Sequence, residues 1–265
     1  MLSVIIPTYN RAAYLDKSLS SLTKQNYPKD DFEVVIVDDG SKDETAKITS
    51  KFKNDLNLKY FRENHLGVSH ARNVGIRKSI GEVVVFFDDD ALVAENWLES
   101  ISRIMVSEDI ITGKVKPIKS NIWQYFAPHY NQGDKPKESP VLLEGNCAIK
   151  RKVFSKIGLF DENLDYGHEG EEFIYRVGKN YKIMYYPEVI IYHDYAKSFL
   201  NYFQKQKKFG QKKAYLESRG FKRASSHQIK NHQIDNLNFV KKITIKIIAR
   251  LGAMFHFWGH FSYKK

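Results

Sequence analysis

The stretch FEVVIVDDGSKDET (Phe32–Thr45) sets an apolar, Val/Ile-rich run directly against two carboxylates and a glycine. A run that is apolar without alternation reads as a strand covered on both faces, so Phe32–Asp38 is expected in the interior of a parallel sheet. Upstream, Leu2–Pro7 (LSVIIP) has the same character, and between the two, from Ala12 to Gln25, Tyr14, Leu15, Leu19 and Leu22 fall at helical spacing. Downstream the alternation continues with a helix over about 43–52, a short strand near Leu58–Phe61, a helix over Val68–Ser79 and the strand Val83–Phe87. Strand and helix in strict alternation predict an α/β fold with a doubly wound sheet.

The second half is mixed. Ile110–Pro117 and Val141–Lys150 read as strands flanking a Pro/Gly-containing connection, Ala127–Pro140, long enough to serve as an active-site loop. Helices are expected at 152–157 and 169–179, then a strand over Lys182–Tyr192, a basic helix from Tyr195 to Leu216, a linker over 217–236 containing Ser225 and Ser226, and a last helix over Phe239–Phe261. No internal repeat is evident.

With 265 residues, 42% hydrophobic and 28% charged, the chain has the composition of an ordinary globular protein, large enough for a substantial core. Its single cysteine, Cys147, excludes an internal disulfide or a cysteine-built metal centre and reads as a small buried side chain. The start of the sequence lacks a basic segment ahead of its apolar run, so a cytoplasmic protein is expected. The net charge of +11 is unevenly spread: residues 195–265 hold 16 Lys and Arg against two acids, a net +14, whereas the preceding 194 residues carry a net −3. A near-neutral body with a cationic extension suits an enzyme docked on an anionic surface better than a nucleic-acid reader. The division expected is a catalytic domain at 1–194, with halves at 1–115 and 116–194, and a basic helical extension at 195–265.

In open α/β sheets, ligands lie beyond the carboxyl ends of the strands. After the first strand comes Pro7-Thr8-Tyr9-Asn10-Arg11, without the GxGxxG of a dinucleotide site. After the second, Ser41 and Glu44 have the spacing of a helix capping box, which leaves Asp38 and Asp39 free to accept hydrogen bonds from a base or ribose. Beyond Val83–Phe87 stands Asp88-Asp89-Asp90. If the segment stays extended, Asp88 and Asp90 share one side, a pattern suited to Mg²⁺ or Mn²⁺ held through a substrate's phosphates, while Asp89 faces away.

Taken in order, VIIPTYNR, VVIVDDGSKDET, GVSHARNVGI, FFDDDA, EGNCAIKRKVF, GLFDE and HEGEEFIYRV resemble the family 2 glycosyltransferases, inverting nucleotide-sugar enzymes of the GT-A fold, over about residues 2–193. The resemblance implies that Pro7, Tyr9, Arg11 and Asp39 serve the nucleoside, with Asp39 facing a uracil imide. It places Arg72 near the base or diphosphate, Asp88 by the ribose, Asp90 on the metal, Gly145 and Asn146 along the sugar pocket, and His193 near the metal or diphosphate. Helix-surface, strand-bend and structural roles stand as alternatives for Arg72, for Gly145 and Asn146, and for His193. The donor implied is a UDP-sugar, the acceptor a glycan or lipid-linked saccharide.

Transfer from such a donor needs a Lewis acid for the departing diphosphate and a general base for the incoming hydroxyl. Where the resemblance puts an aspartate as base, this chain has Gly170, so Glu169 and then Glu171 become the candidates, with Glu172 expected in an i,i+4 pair with Arg176. A retaining transferase, a nucleotidyltransferase and a non-enzymatic basic binding module are the rival readings. Charges interrupt the apolar residues of 239–261, so an interfacial helix on anionic lipid, or a helix packed on the body or on a second copy, is expected rather than a membrane span.

Overall fold

The computed structural model describes residues 1–164, 167–178, 180–221 and 239–263. Four parallel strands form its first half: β1 (Leu2–Thr8), β2 (Phe32–Asp38), β3 (Leu58–Arg62) and β4 (Val83–Phe87), connected by the helices α1 (Ala12–Leu22), α2 (Thr45–Lys51) and α3 (Val68–Lys78). There follow β5 (Leu92–Val93), α4 (Trp97–Ile104), β6 (Ile110–Lys116), β7 (Lys137–Glu138), β8 (Asn146–Lys150), α5 (Arg151–Ile157), α6 (Glu169–Val177), β9 (Met184–Tyr192), α7 (Phe199–Ser218) and α8 (Phe239–Tyr263). The strand order is β3-β2-β1-β4-β8-β6-β9-β5, with β7 on β9. β8 is antiparallel to both β4 and β6, so the expected doubly wound sheet is a mixed one.

Both faces of the sheet are covered, as the unbroken apolar runs require. Val4 and Ile6 of β1 join Leu15 and Leu19 of α1 and Trp97 of α4 on one side, whereas Ile5 meets Ala71 and Val74 of α3 and Phe173 of α6 on the other. Glu33, an acid inside β2, is fully buried but paired. It accepts from Ser3 Oγ at 2.6 Å and the Ile80 N–H at 2.6 Å, and pairs with Lys59 at 2.8 Å.

Several expectations need correction. Only Asn146–Lys150 of the stretch Val141–Lys150 is strand; 141–145 is an irregular segment crossing the end of the sheet. The strand ending at Phe87 gives way to a turn, so alternation does not extend through Asp88–Asp90. The capping box is absent: Ser41 Oγ accepts from the Asn10 N–H at 2.8 Å, and Asp43 accepts from the Thr45 N–H at 3.1 Å instead. The linker expected at 217–236 lies, from 222 onward, outside the described residues.

The basic extension is built onto the body. Tyr202 of α7 and Ile248 of α8 cluster with Trp123 and Ala127 from the loop before β7. The two helices approach closely at Gly210 and Gly259, where a Cβ would overlap the backbone of the opposite helix.

Candidate active site

A cavity of about 1100 Å³ opens at the carboxyl ends of β1, β2 and β4, and the 141–145 segment, α6 and α7 complete its wall. All the candidates named from the sequence except Asp38 line it: Pro7, Tyr9, Arg11, Asp39, Arg72, Asp88, Asp90, Gly145, Asn146, Glu169, Glu171 and His193. Two non-glycine residues with left-handed backbones, His65 and His168, also line it, and a third, Asn10, sits between the lining residues Tyr9 and Arg11. Such conformations persist only where their surroundings impose them, and they concentrate at functional sites.

On the β2 side, Asp38 is turned inward. It accepts from the Ser41 N–H at 2.8 Å and from the Tyr60 hydroxyl, so its role is to shape the turn. Asp39 accepts from the backbone N–H groups of Leu66 at 2.7 Å and Gly67 at 3.0 Å, with His65 Nδ1 at 3.1 Å. The His65 ring stacks on Tyr9 with centroids 3.9 Å apart. Together these residues form an aromatic edge above a buried carboxylate.

The acidic turn is a dense ion network. Arg11 contacts Asp89 at 3.0 Å and Asp90 at 2.8 Å, and Asp90 also meets His193 Nε2 at 3.2 Å and Lys197 at 3.1 Å. Burial opposes ionisation of Asp90, but the hydrogen bond and charge of His193, with Arg11 and Lys197, hold its carboxyl below the usual carboxylate range. Asp89 does not face away from the site as expected. It is buried against Thr8 Oγ1 at 2.7 Å, and burial pushes it up to about 6 despite Arg11. Lys197 had no sequence signal, because it reaches Asp90 from beyond β9.

Asp88 is the open carboxylate of the three, with its side chain 36% exposed and only a 3.4 Å contact to Arg72. Gly145 lies against it, and any Cβ there would overlap the Asp88 carboxylate. Among the described residues no group of three or more His, Cys, Asp or Glu side chains is set to enclose a metal. Asp88 and Asp90 are hard oxygen donors, the type suited to Mg²⁺ or Mn²⁺ whose remaining ligands are phosphate oxygens or water.

On the opposite wall, the buried Arg72 guanidinium donates to Glu169 Oε1 at 2.7 Å. Glu169 Oε2 and Arg72 Nε are enclosed without a hydrogen-bond partner among the described residues. Glu171 has a side chain 66% exposed and pairs with His168 at 2.9 Å. The Glu172–Arg176 pair forms as expected, at 2.6 Å. Asn146 lines the wall but spends its side chain on the sheet: it accepts from Trp97 Nε1 at 2.9 Å and donates to the carbonyls of Val189 at 3.0 Å and Lys114 at 3.1 Å. Of the two sequence readings for Asn146, the strand-bend role is the one this geometry supports. Glu144, which sequence reasoning passed over, lies beside Glu169 and accepts from the Gly170 N–H.

α7 is part of the wall as well. Lys205 donates to the Tyr195 carbonyl at 2.7 Å, and His168 Nε2 meets the Phe209 carbonyl at 3.0 Å. The basic extension thus contributes directly to the cavity.

A mixed sheet with acidic turns converging at its strand ends is the GT-A architecture. A mannosyltransferase from Pyrobaculum calidifontis, solved with GDP-Man and Mn²⁺, superposes with a TM-score of 0.65 at 22% identity, covering 96% of this chain and 75% of that one. Staphylococcus aureus TarS, solved with UDP-GlcNAc, gives 0.60 at 20% identity, with 99% and 91% covered. Residues 3–158 match the profile of glycosyl transferase family 2, and the chain belongs to that family. In sequence it is 39% identical over 120 residues to the poly(ribitol-phosphate) β-N-acetylglucosaminyltransferase TarS of S. aureus, a match spanning 44% of this chain but 21% of that protein.

Proposed function

We propose that this protein transfers a sugar from a nucleoside diphosphate donor, with uracil as the base, to a hydroxyl of a glycan or lipid-linked saccharide, with inversion at the anomeric carbon. The observation that carries this reading is the Asp88–Asp90 turn meeting Arg11, Arg72 and His193 in one cavity, with Lys197 paired to Asp90. That cavity holds cations for a diphosphate and carboxylates for a metal and a proton.

The chemistry assigns roles. Tyr9 and His65 offer ring faces to a base, Pro7 lines its slot, and Asp39 accepts from the imide. Arg11, Lys197 and His193 draw the diphosphate toward the acidic turn. Mg²⁺ or Mn²⁺, held by Asp88 and Asp90, would stabilise the negative charge that develops on the leaving diphosphate. Gly145 keeps the wall beside Asp88 clear for the sugar. A carboxylate near the start of α6, where Glu169 and Glu171 were the sequence candidates, takes the acceptor's proton. Asp39→Ala should weaken UDP binding by about 1.5–3 kcal/mol with little change in turnover at saturating donor, because the lost hydrogen bond is charge-assisted and remote from the reacting carbon. Calorimetry with UDP measures it, and an unchanged dissociation constant removes Asp39 from the base site. The overall reading is tested by incubating the protein with UDP-sugars and Mn²⁺. Release of UDP with an inverted product anomer supports it, and release of pyrophosphate refutes it.

We also propose that α8 holds the protein on an anionic membrane surface at the cytoplasmic face. Val240, Ile243, Ile247, Leu251, Met254 and Trp258 form a stripe along α8, each between 41% and 70% exposed. Ile245 and Ile248 are buried on the face toward the body. One helix thus carries two apolar faces, one packed and one open, with Lys241, Lys246 and Arg250 exposed between them. Among the described residues no helix is long and apolar enough to cross a membrane. Basic side chains near anionic lipid contribute about 1 kcal/mol each, and the open stripe adds apolar burial. Co-sedimentation with liposomes should rise with anionic lipid and fall with salt. Ile247→Ser, Leu251→Ser and Met254→Ser together should lower it at least about tenfold at unchanged thermal stability. Binding that ignores both lipid charge and these substitutions refutes the docking.

A further inference from the structure

Glu144 and Gly170 compete for one volume. A Cβ at position 170 would overlap the Glu144 carboxylate and press on the Leu142 carbonyl, so a side chain at 170 and the present position of Glu144 exclude one another. Glu144 reaches this place because 141–145 is an irregular segment crossing the sheet end, which brings the side chain beneath the first turn of α6. There Oε1 accepts the Gly170 N–H, one of the donors that the first turn of a helix leaves unpaired. The other oxygen takes no hydrogen bond from another described residue, and Glu144 lines the cavity half-buried.

Glu169 offers a base less. Its Oε1 is committed to Arg72, and its Oε2 is enclosed with no hydrogen-bond partner among the described residues. Glu171 lines the cavity with an exposed side chain already paired with His168 at 2.9 Å. We propose that Glu144 is the general base of the transfer, with Gly170 as the residue that makes room for it, an assignment resting on the function proposed above. In the step, the acceptor O–H proton passes to the Glu144 carboxylate while the acceptor oxygen bonds to the anomeric carbon. The bond from that carbon to the diphosphate oxygen breaks, and its electron pair leaves with the nucleoside diphosphate.

The surroundings agree with such a role. Burial first, and then the neighbouring Glu169 carboxylate, push the Glu144 carboxyl up to about 7 against the opposing charge of Arg72. The charged and titratable groups facing it are Glu169 from α6, Arg72 from α3 and Cys147 from β8. A base with proton affinity near neutral is matched to both taking and releasing the proton at the working pH.

The test uses the full chain with a panel of UDP- and GDP-hexoses and Mn²⁺, reading the nucleoside diphosphate released. Glu144→Gln should lower kcat by about 10²–10⁴-fold, as for loss of general-base catalysis, with the UDP dissociation constant unchanged. Glu144→Asp, which keeps a carboxylate one methylene short, should recover part of that loss, and it carries the test if the glutamine variant does not fold. In the wild type, kcat/KM should fall as pH drops through about 7, and Glu144→Gln should lose this acid limb. Glu169→Gln should retain it. Wild-type turnover in Glu144→Gln, or loss of rate and acid limb in Glu169→Gln to the same extent, overturns the assignment to Glu144. Absence of release from every donor by the wild-type protein overturns instead the function on which it rests.

Discussion

Asp90→Ala should cut transfer by about 10³-fold or more across a full Mn²⁺ titration, because it removes both a hard oxygen ligand and the anchor of the cations at the diphosphate site. Asp90 faces Arg11, His193 and Lys197 at 2.8–3.2 Å, so its loss leaves two cations and a histidine without their common partner. The pH dependence has a definite sign. A carboxyl held below its ordinary value contributes stability that is present above the unfolded value and lost as pH falls through the folded one. The variant should therefore melt below the wild type at neutral pH, and the gap should close in strong acid. Wild-type turnover of the variant at any Mn²⁺ concentration would remove Asp90 from the metal site.

The second large effect is expected at Arg72, which is buried and compensates Glu169, Asp88 and Glu144 together. Arg72→Leu should cost about 3–5 kcal/mol at pH 8, as for a buried ion pair that loses one partner. The deficit should shrink as pH is lowered from 8 through about 7, because below its folded-state value Glu144 is protonated with or without the guanidinium and no longer needs that charge. A raised carboxyl value means stability present below the unfolded value and lost as pH rises through the folded one. Denaturant unfolding of both proteins at pH 5 and pH 8 measures this. An equal deficit at the two pH values would show that packing, not charge compensation, is the main role of Arg72.

The sheet's parallel half was legible because β1, β2 and β4 are apolar runs ending in turn residues, a pattern set by burial on both faces. The two-residue strands β5 and β7 had no such signal: their pairing with β9 depends on where that strand lies in the finished fold. Similarly, Asp88 and Asp90 were legible as carboxylates at a strand end, but the inward turn of Asp89 was not, since it depends on Thr8 and Arg11 about eighty residues upstream. Lys197 and Glu144 were hidden for the same reason. Gly170 stood out as a missing side chain in the sequence; its cause, the Glu144 carboxylate, emerges only when the 141–145 segment folds beneath α6.

The central claim, that the strand-end cavity binds a nucleoside diphosphate sugar, is tested most directly by the thermal unfolding of the intact protein with UDP, GDP and their sugar conjugates, each with and without Mn²⁺. A ligand that binds only the folded state at a hundred times its dissociation constant adds about 2.7 kcal/mol. The account predicts that UDP and a UDP-sugar raise the transition temperature, more with Mn²⁺ than without, and that Asp39→Ala and Asp90→Ala blunt the rise. No rise with any nucleotide, in either the presence or the absence of Mn²⁺, would contradict it.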